Sequence, residues 1–251
     1  MLTTNETFDA KRTAWIAKAE QDHFWFKARR QWVFNNLDNL KLPPAAAVLD
    51  LGSGTGYQSS LLAKRFKEII GLDLYAERTL PEYVRHNTFY VKADAVNIPF
   101  KEQSFDLVIA CDVFEHTADD RQAFADVNRV MKNNGYLIAT VPAFQFLWGE
   151  RDKVAGHHRR YSKGQLLSLL KNNSFKIIKI NYFNSILFPV VVCSRLLPRK
   201  INKETLATED TPPKILNFLF EKITQFEVKY LSKVQLPFGS SLAIICRKNV
   251  V

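Results

Sequence analysis

Three stretches of this 251-residue chain concentrate residue types that do chemistry. The first is Asp50-Leu51-Gly52-Ser53-Gly54-Thr55-Gly56, an acid at the end of a short apolar run followed by three alternating glycines. A Cβ in such a turn would block both the turn and the close approach of a ligand, so its natural guest is a nucleotide-like cofactor. The dinucleotide pattern Gly-x-Gly-x-x-Gly would place its last glycine at position 57, where this chain has Tyr57. A nicotinamide or flavin therefore loses a close-packing point. Asp73 ends the next apolar run, where a carboxylate either accepts both ribose hydroxyls of an adenosine or simply closes a strand in solvent. The second stretch, Gly156-His157-His158-Arg159-Arg160-Tyr161, brings guanidiniums that match phosphate or carboxylate oxygens bidentately. It also runs into Ser162, a natural helix N-cap, so part of it serves to anchor that start. Adjacent His157 and His158 cannot both chelate one ion and no third ligand follows, so no metal is expected. The third stretch holds Trp25, Arg29 and Arg30, aromatics followed by cations. It is either an amphipathic packing face or a lid that excludes water and meets an anion.

These residues need elements to position them. Residues 7–40 read as helical, and Pro43-Pro44 end that preamble. Strands follow at 46–51, 68–73, 88–92, 105–110, 135–141 and 175–182, with helices at 57–66, 119–132 and 163–172. Apolar strands alternating with amphipathic helices predict an α/β fold, a doubly wound and mostly parallel sheet covered on both faces. Ligands of such sheets bind beyond the carboxyl ends of the strands, at the topological switch point. After 184 the pattern changes. An apolar run is followed by Arg199, Lys200 and Lys203, and Thr211-Pro212-Pro213 opens a helix with apolar residues from Ile215 to Tyr230 interleaved with lysines. A last strand returns at 241–246. The expected organisation is an N-terminal helical lid (1–44), a cofactor-binding core (45–184), an amphipathic helical insertion (185–237) and a closing core strand (238–251).

The progression from Asp50 through Asp73, Asp94, Pro99-Phe100, Phe105-Asp106-Leu107-Val108 and Glu115-His116 to Val141 resembles the class I S-adenosylmethionine-dependent methyltransferases. It is most similar to the type 11 branch, which includes enzymes of ubiquinone biosynthesis. The resemblance implies a Rossmann-like seven-stranded sheet with the last strand antiparallel. It implies S-adenosylmethionine as cofactor, held by Asp50, Gly52, Ser53, Gly54, Gly56, Asp73, Leu74, Asp94, Ala95, Cys111 and Asp112. In that reading Asp50 reaches the methionyl amino group, often through water, and Asp94 accepts from the adenine amino group beside the Ala95 amide. The donor is already activated, so the enzyme mainly aligns a nucleophile in line with the methyl group. An oxygen nucleophile also needs a base. His116 is the first candidate, with Glu115 and His157 as alternatives; His116 has an equal claim to a structural role in its loop. Trp25, Arg29, Arg30, His158, Arg159, Arg160 and Tyr161 are the candidate substrate contacts.

The net charge of +10 points to an anionic partner. Cys111, Cys193 and Cys246 are dispersed, which fits a reducing cytoplasm, and the N-terminus does not read as a signal peptide. The longest uncharged run, 180–194, falls short of the ~20 apolar residues that span a bilayer. The insertion suits an anionic membrane interface, a helical cap or a subunit contact. The expectation is O-methylation of a small, anionic or lipid-linked substrate by a cytoplasmic enzyme, peripheral to the inner membrane face. Its rivals are an RNA or protein methyltransferase and a non-catalytic cofactor-binding module. No nucleic-acid-binding appendage and no Asn-Pro-Pro-Tyr-like tetrapeptide is present, so nucleic acid is not the expected partner.

Overall fold

The structure, a computed structural model, describes residues 4–196 and 211–249. Seven strands form one sheet in the order β3-β2-β1-β4-β5-β7-β6. They are β1 (Val48–Leu51), β2 (Ile69–Asp73), β3 (Thr88–Lys92), β4 (Phe105–Cys111), β5 (Met131–Pro142), β6 (Phe175–Phe183) and β7 (Ser241–Lys248). β7 lies antiparallel between β5 and β6, and the pairs from β3 to β5 are parallel. The chain order reverses between β1 and β4. The carboxyl ends of those two strands carry the glycine-rich turn and the Cys111–His116 segment, so both meet at the switch point.

Pleat parity sorts the core. In β4, Val108 and Ala110 face one layer with Phe114, Phe124, Val127, Leu166 and Leu170, while Leu107 and Ile109 face the other with Ala28, Trp32, Val33, Leu37 and Leu62. The first layer is covered by α4 (Asp120–Val130) and α6 (Lys163–Asn172), and the second by α2 (Phe24–Leu40) and α3 (Tyr57–Leu62). Ser162 caps α6, accepting from the Gln165 amide at 3.2 Å.

The helical preamble consists of two helices. α1 (Thr4–Asp22) stops at His23, whose Nδ1 accepts the Trp25 amide at 3.2 Å and so starts α2 in a new direction. The helix expected over 57–66 ends at Leu62, its last residues winding into turns. α5 (Glu150–Ala155) follows β5, and α7 (Phe188–Leu196) follows β6. Arg199, Lys200 and Lys203 lie outside the described residues.

The next described helix of the insertion, α8 (Lys214–Phe226), packs on α2 through one helical stripe. Asn217 accepts the Phe24 amide at 3.0 Å, the Phe24 and Phe220 rings stand 5.3 Å apart, and Lys27 pairs with Glu221 at 3.0 Å. A π-helical turn, Glu227–Leu231, then buries Glu227, whose Oε2 accepts the amides of Ser185 and Ile186 at 2.8 Å each. This anchors the returning chain to the end of β6. The opposite stripe of α8 leaves Ile215 (83% exposed), Phe218 and Leu219 in solvent. No helix among the described residues is long and apolar enough to cross a membrane.

Candidate functional site

The turn after β1 is bound to the next strand by its own backbone. The amides of Gly52 and Ser53 both donate to the Leu72 carbonyl, at 2.7 and 3.1 Å. The Gly54 amide donates to Asp73 Oδ2 at 2.9 Å, and Asp73 Oδ1 accepts the Tyr75 amide at 2.8 Å. Gly52 has φ +72°, and a Cβ there would sit 2.5 Å from Val113 Cγ2, so only glycine fits against the segment leaving β4. A Cβ on Gly54 would meet nothing within 4 Å: this part of the turn borders open space. The Ser53 hydroxyl is buried without a partner among the described residues. An open cradle, an unsatisfied hydroxyl and a buried acid suit an adenosine-bearing cofactor of the kind the resemblance implies.

Asp50 is that acid, and it is 1% exposed. It accepts from Gln58 at 2.7 Å and from Ser59 at 2.6 Å, and burial pushes its carboxyl up to about 6. Leu74 is exposed, as is Asp94, whose Oδ1 accepts the Val96 amide at 3.1 Å; Ala95 is buried. Burial lifts the Cys111 thiol to about 12, so it stays protonated.

Both N-terminal helices reach this turn. Glu20, at the end of α1, accepts from the Thr55 hydroxyl, and burial raises its carboxyl to about 7. Arg30 donates to the Glu20 carbonyl at 2.6 Å and lies over the Tyr57 ring at 5.0 Å. Arg29 pairs with Asp112 and sits over the rings of Trp25 (4.7 Å) and Phe26 (5.0 Å). Asp112 occupies the left-handed region (φ 56°) at the end of β4, and its Oδ1 accepts from Thr140 at 3.1 Å. A non-glycine residue held there is strained backbone of the kind that collects at functional sites.

The third group assembles beside it. A parallel bridge between Ala143 and Tyr161 lays the His-Arg run along the exit of β5, and the His158 amide donates to the Glu115 carbonyl at 2.7 Å. His116 and His157 thereby stand edge to face, their rings 4.6 Å apart, beside the fully buried Glu115. Desolvation and then the His157 ring push His116 down to about 4, so it is neutral imidazole at physiological pH. The Glu115 carboxyl is raised well above the usual range by burial and by Asp112.

Two of the expected substrate contacts are occupied elsewhere. Arg160 is buried and its guanidinium grips Asp152 at 2.8–2.9 Å, while the buried Tyr161 hydroxyl donates to Asp120 at 2.9 Å. Arg159 pairs with Asp120 at 2.8 Å at a half-buried position. Of the candidate contacts His158, Arg159, Arg160 and Tyr161, His158 alone is exposed.

Asp152, Glu20 and Arg195 are residues that sequence reasoning missed. Asp152 accepts from Arg160, from Arg195 at 3.0 Å, from the Gly149 amide at 3.0 Å and from His157 Nδ1 at 3.0 Å. Burial alone would raise its carboxyl, but the His157 contact and the two guanidiniums hold it well below the carboxylate range. The available signal was an acid just ahead of the His-Arg run.

Comparison with known proteins agrees with this geometry. Residues 49–139 match the model of a family described as "Methyltransferase domain". The chain is 27% identical over 186 residues to a malonyl-[acyl-carrier protein] O-methyltransferase of Marinomonas sp. (strain MWYL1), covering 69% of each protein. It is 30% identical over 119 residues to a demethylmenaquinone methyltransferase of Lactiplantibacillus plantarum, covering 43% of this chain and half of that one. Among solved structures, a SAM-dependent methyltransferase from Archaeoglobus fulgidus superposes with a TM-score of 0.58 at 16% identity, covering 93% of this chain and 99% of that one. One from Mesorhizobium loti gives 0.57 at 15% identity, covering 86% and 97%. At such identities these structures speak for the fold.

Proposed function

The chain is a class I S-adenosylmethionine-dependent methyltransferase, and from this premise we propose that it methylates an oxygen of an anionic, lipid-linked acceptor at a membrane surface. The observation that carries the reading is the path from the outward face of α8 to the glycine turn. Ile215, Phe218 and Leu219 are exposed on a helix that also bears Lys214 and Lys222. The other face of α8 is locked to α2, and α2 places Arg29 and Arg30 beside the cofactor turn. Exposed apolar side chains enter an acyl boundary while lysines meet anionic headgroups, and the net charge of +10 favours the same encounter.

Bound S-adenosylmethionine supplies a methyl group on a sulfonium, an activated carbon that needs a nucleophile in line. Gly52 and Gly54 would admit the cofactor, Asp73 and Asp94 would receive its ribose and adenine, and Asp50 its amino group. Arg29, paired with Asp112 under the Trp25 and Phe26 rings, helps exclude water, and Arg30, over the Tyr57 ring, offers a cation to an anionic acceptor. The acceptor's proton would be taken at the Glu115–His116–His157 group, which adjoins the turn through Val113. The Marinomonas relative, named a malonyl-[acyl-carrier protein] O-methyltransferase, supports an oxygen acceptor on a carrier-linked substrate. Three free, dispersed cysteines support work in a reducing compartment.

The test is untargeted lipid and metabolite profiling of a strain lacking this chain. The expected result is an organic-phase species one methyl group lighter, converted to the heavier form by purified protein and labelled donor. Conversion confined to aqueous cations, or to RNA, overturns the reading.

A further inference from the structure

We infer that Glu115, His116 and His157 form a binding site for a divalent transition-metal ion of the zinc class. One ligand atom from each of the three lies within 4.8 Å of the other two. Glu115 is 0% exposed, and neither of its carboxylate oxygens has a hydrogen-bond partner from another residue among those described. A buried acid beside two imidazoles, with no partner from another described residue, leaves its polar atoms poorly satisfied, a cost that a cation between the three would remove.

The surroundings prepare the imidazoles as ligands. His157 Nδ1 lies 3.0 Å from Asp152 Oδ1, which leaves Nε2 for the ion and fixes the ring's orientation. Asp152 is held in turn by Arg160, Arg195 and the Gly149 amide. A carboxylate behind a metal-bound histidine, itself hydrogen-bonded, is the usual support of such a site. His116 keeps an exposed edge, so three protein ligands would leave an outward position for water or an acceptor oxygen, the arrangement of catalytic rather than structural zinc. Two nitrogens and one oxygen suit zinc, cobalt or nickel, whereas magnesium and calcium favour oxygen donors. The charges facing the group are Asp112, Arg29, Arg160 and Arg12, of both signs.

Sequence reading looked for a third ligand beside His157-His158 and found none. The fold supplies two, from the end of β4, and discards His158. The proposal stands apart from the identity of the methyl acceptor, since ion binding is measured without any substrate.

The experiment titrates chelator-stripped full-length protein with Co²⁺, followed by visible absorption, and then displaces the cobalt with Zn²⁺. One Co²⁺ per chain, with the intense visible bands of a four- or five-coordinate ion and loss of those bands on adding Zn²⁺, is the expected result. His157→Ala and His116→Ala should each weaken binding at least tenfold and alter the spectrum, while His158→Ala binds as the unmodified chain does. Glu115→Gln should weaken it similarly. If that variant does not fold, the two histidine variants, at partly exposed positions, decide the matter. Absence of stoichiometric uptake, or uptake indifferent to both histidines, overturns the proposal.

Discussion

The guanidinium of Arg29, on α2, is paired with the carboxylate of Asp112, the residue at which the chain turns left-handed on leaving β4. This contact joins the N-terminal helices to the carboxyl end of the sheet, and both side chains are mostly buried. Removing one partner strands the other. Arg29→Ala should lower the unfolding free energy by about 3 kcal/mol, read by urea titration, and should expose α2 to limited proteolysis. A change below about 0.5 kcal/mol would mean that the pair contributes no more than a surface contact.

Gly52 and Gly54 should separate stability from binding. Gly52→Ala forces a Cβ against Val113 at a positive φ, so it should cost about 1–3 kcal/mol in folding as well as cofactor affinity. A Cβ at Gly54 enters open space, so Gly54→Ala should cost about 1–2 kcal/mol in folding, from its left-handed φ and not from any clash. Calorimetry should nevertheless show cofactor affinity reduced at least tenfold, because the proposed cofactor position fills that space. Unchanged affinity in Gly54→Ala would move the cofactor off this turn.

Glu20 makes the docking of α1 sensitive to pH. Its folded value of about 7 lies above the ordinary 4.5, so the folded chain holds a proton that the unfolded chain releases. The stability this lends is complete below the unfolded value and is lost as pH rises through about 7. The ligand-free protein should melt higher at about pH 6 than at about pH 8, by roughly 2–4 °C for each kcal/mol involved. Glu20→Gln should flatten that difference; an unaltered pH profile would assign the effect to other groups.

The exposed stripe of α8 offers a test that leaves the core alone. Phe218→Glu with Leu219→Glu, at positions 61% and 50% exposed, should change folding stability by no more than about 0.5 kcal/mol per site. The unmodified chain should float with vesicles containing anionic lipid, less so as salt rises, and the double variant should stay in solution. Flotation with neutral vesicles alone, or none, would return α8 to the role of a cap on α2.

Much of the architecture was legible because it rests on local chemistry. The glycine spacing after Asp50, the alternation of strand and helix from Val48 to Ile180, and the Ser162 cap depend on residues near one another in the chain, where backbone preference and side-chain period act directly. The break at His23 escaped notice because apolar residues continue through it, and only the imidazole's bond to the Trp25 amide turns the helix. Arg160 and Tyr161 read as anion ligands because their types are suited to that work. Their partners, Asp152 and Asp120, are brought to them by the fold, and a guanidinium already held by a buried carboxylate is not available to a substrate.

By itself the sequence determined the doubly wound sheet, written in its period, and the kind of cofactor only through the resemblance carried by the spaced motifs from Asp50 to Val141. Tertiary structure alone decided that Glu20 meets the glycine turn and Arg29 meets Asp112, that α8 turns its apolar stripe outward, and that His157 stands with Glu115 and His116 rather than with His158. The reason is geometric. Adjacent side chains on an extended run point apart, whereas strand ends at a switch point bring distant residues to one place.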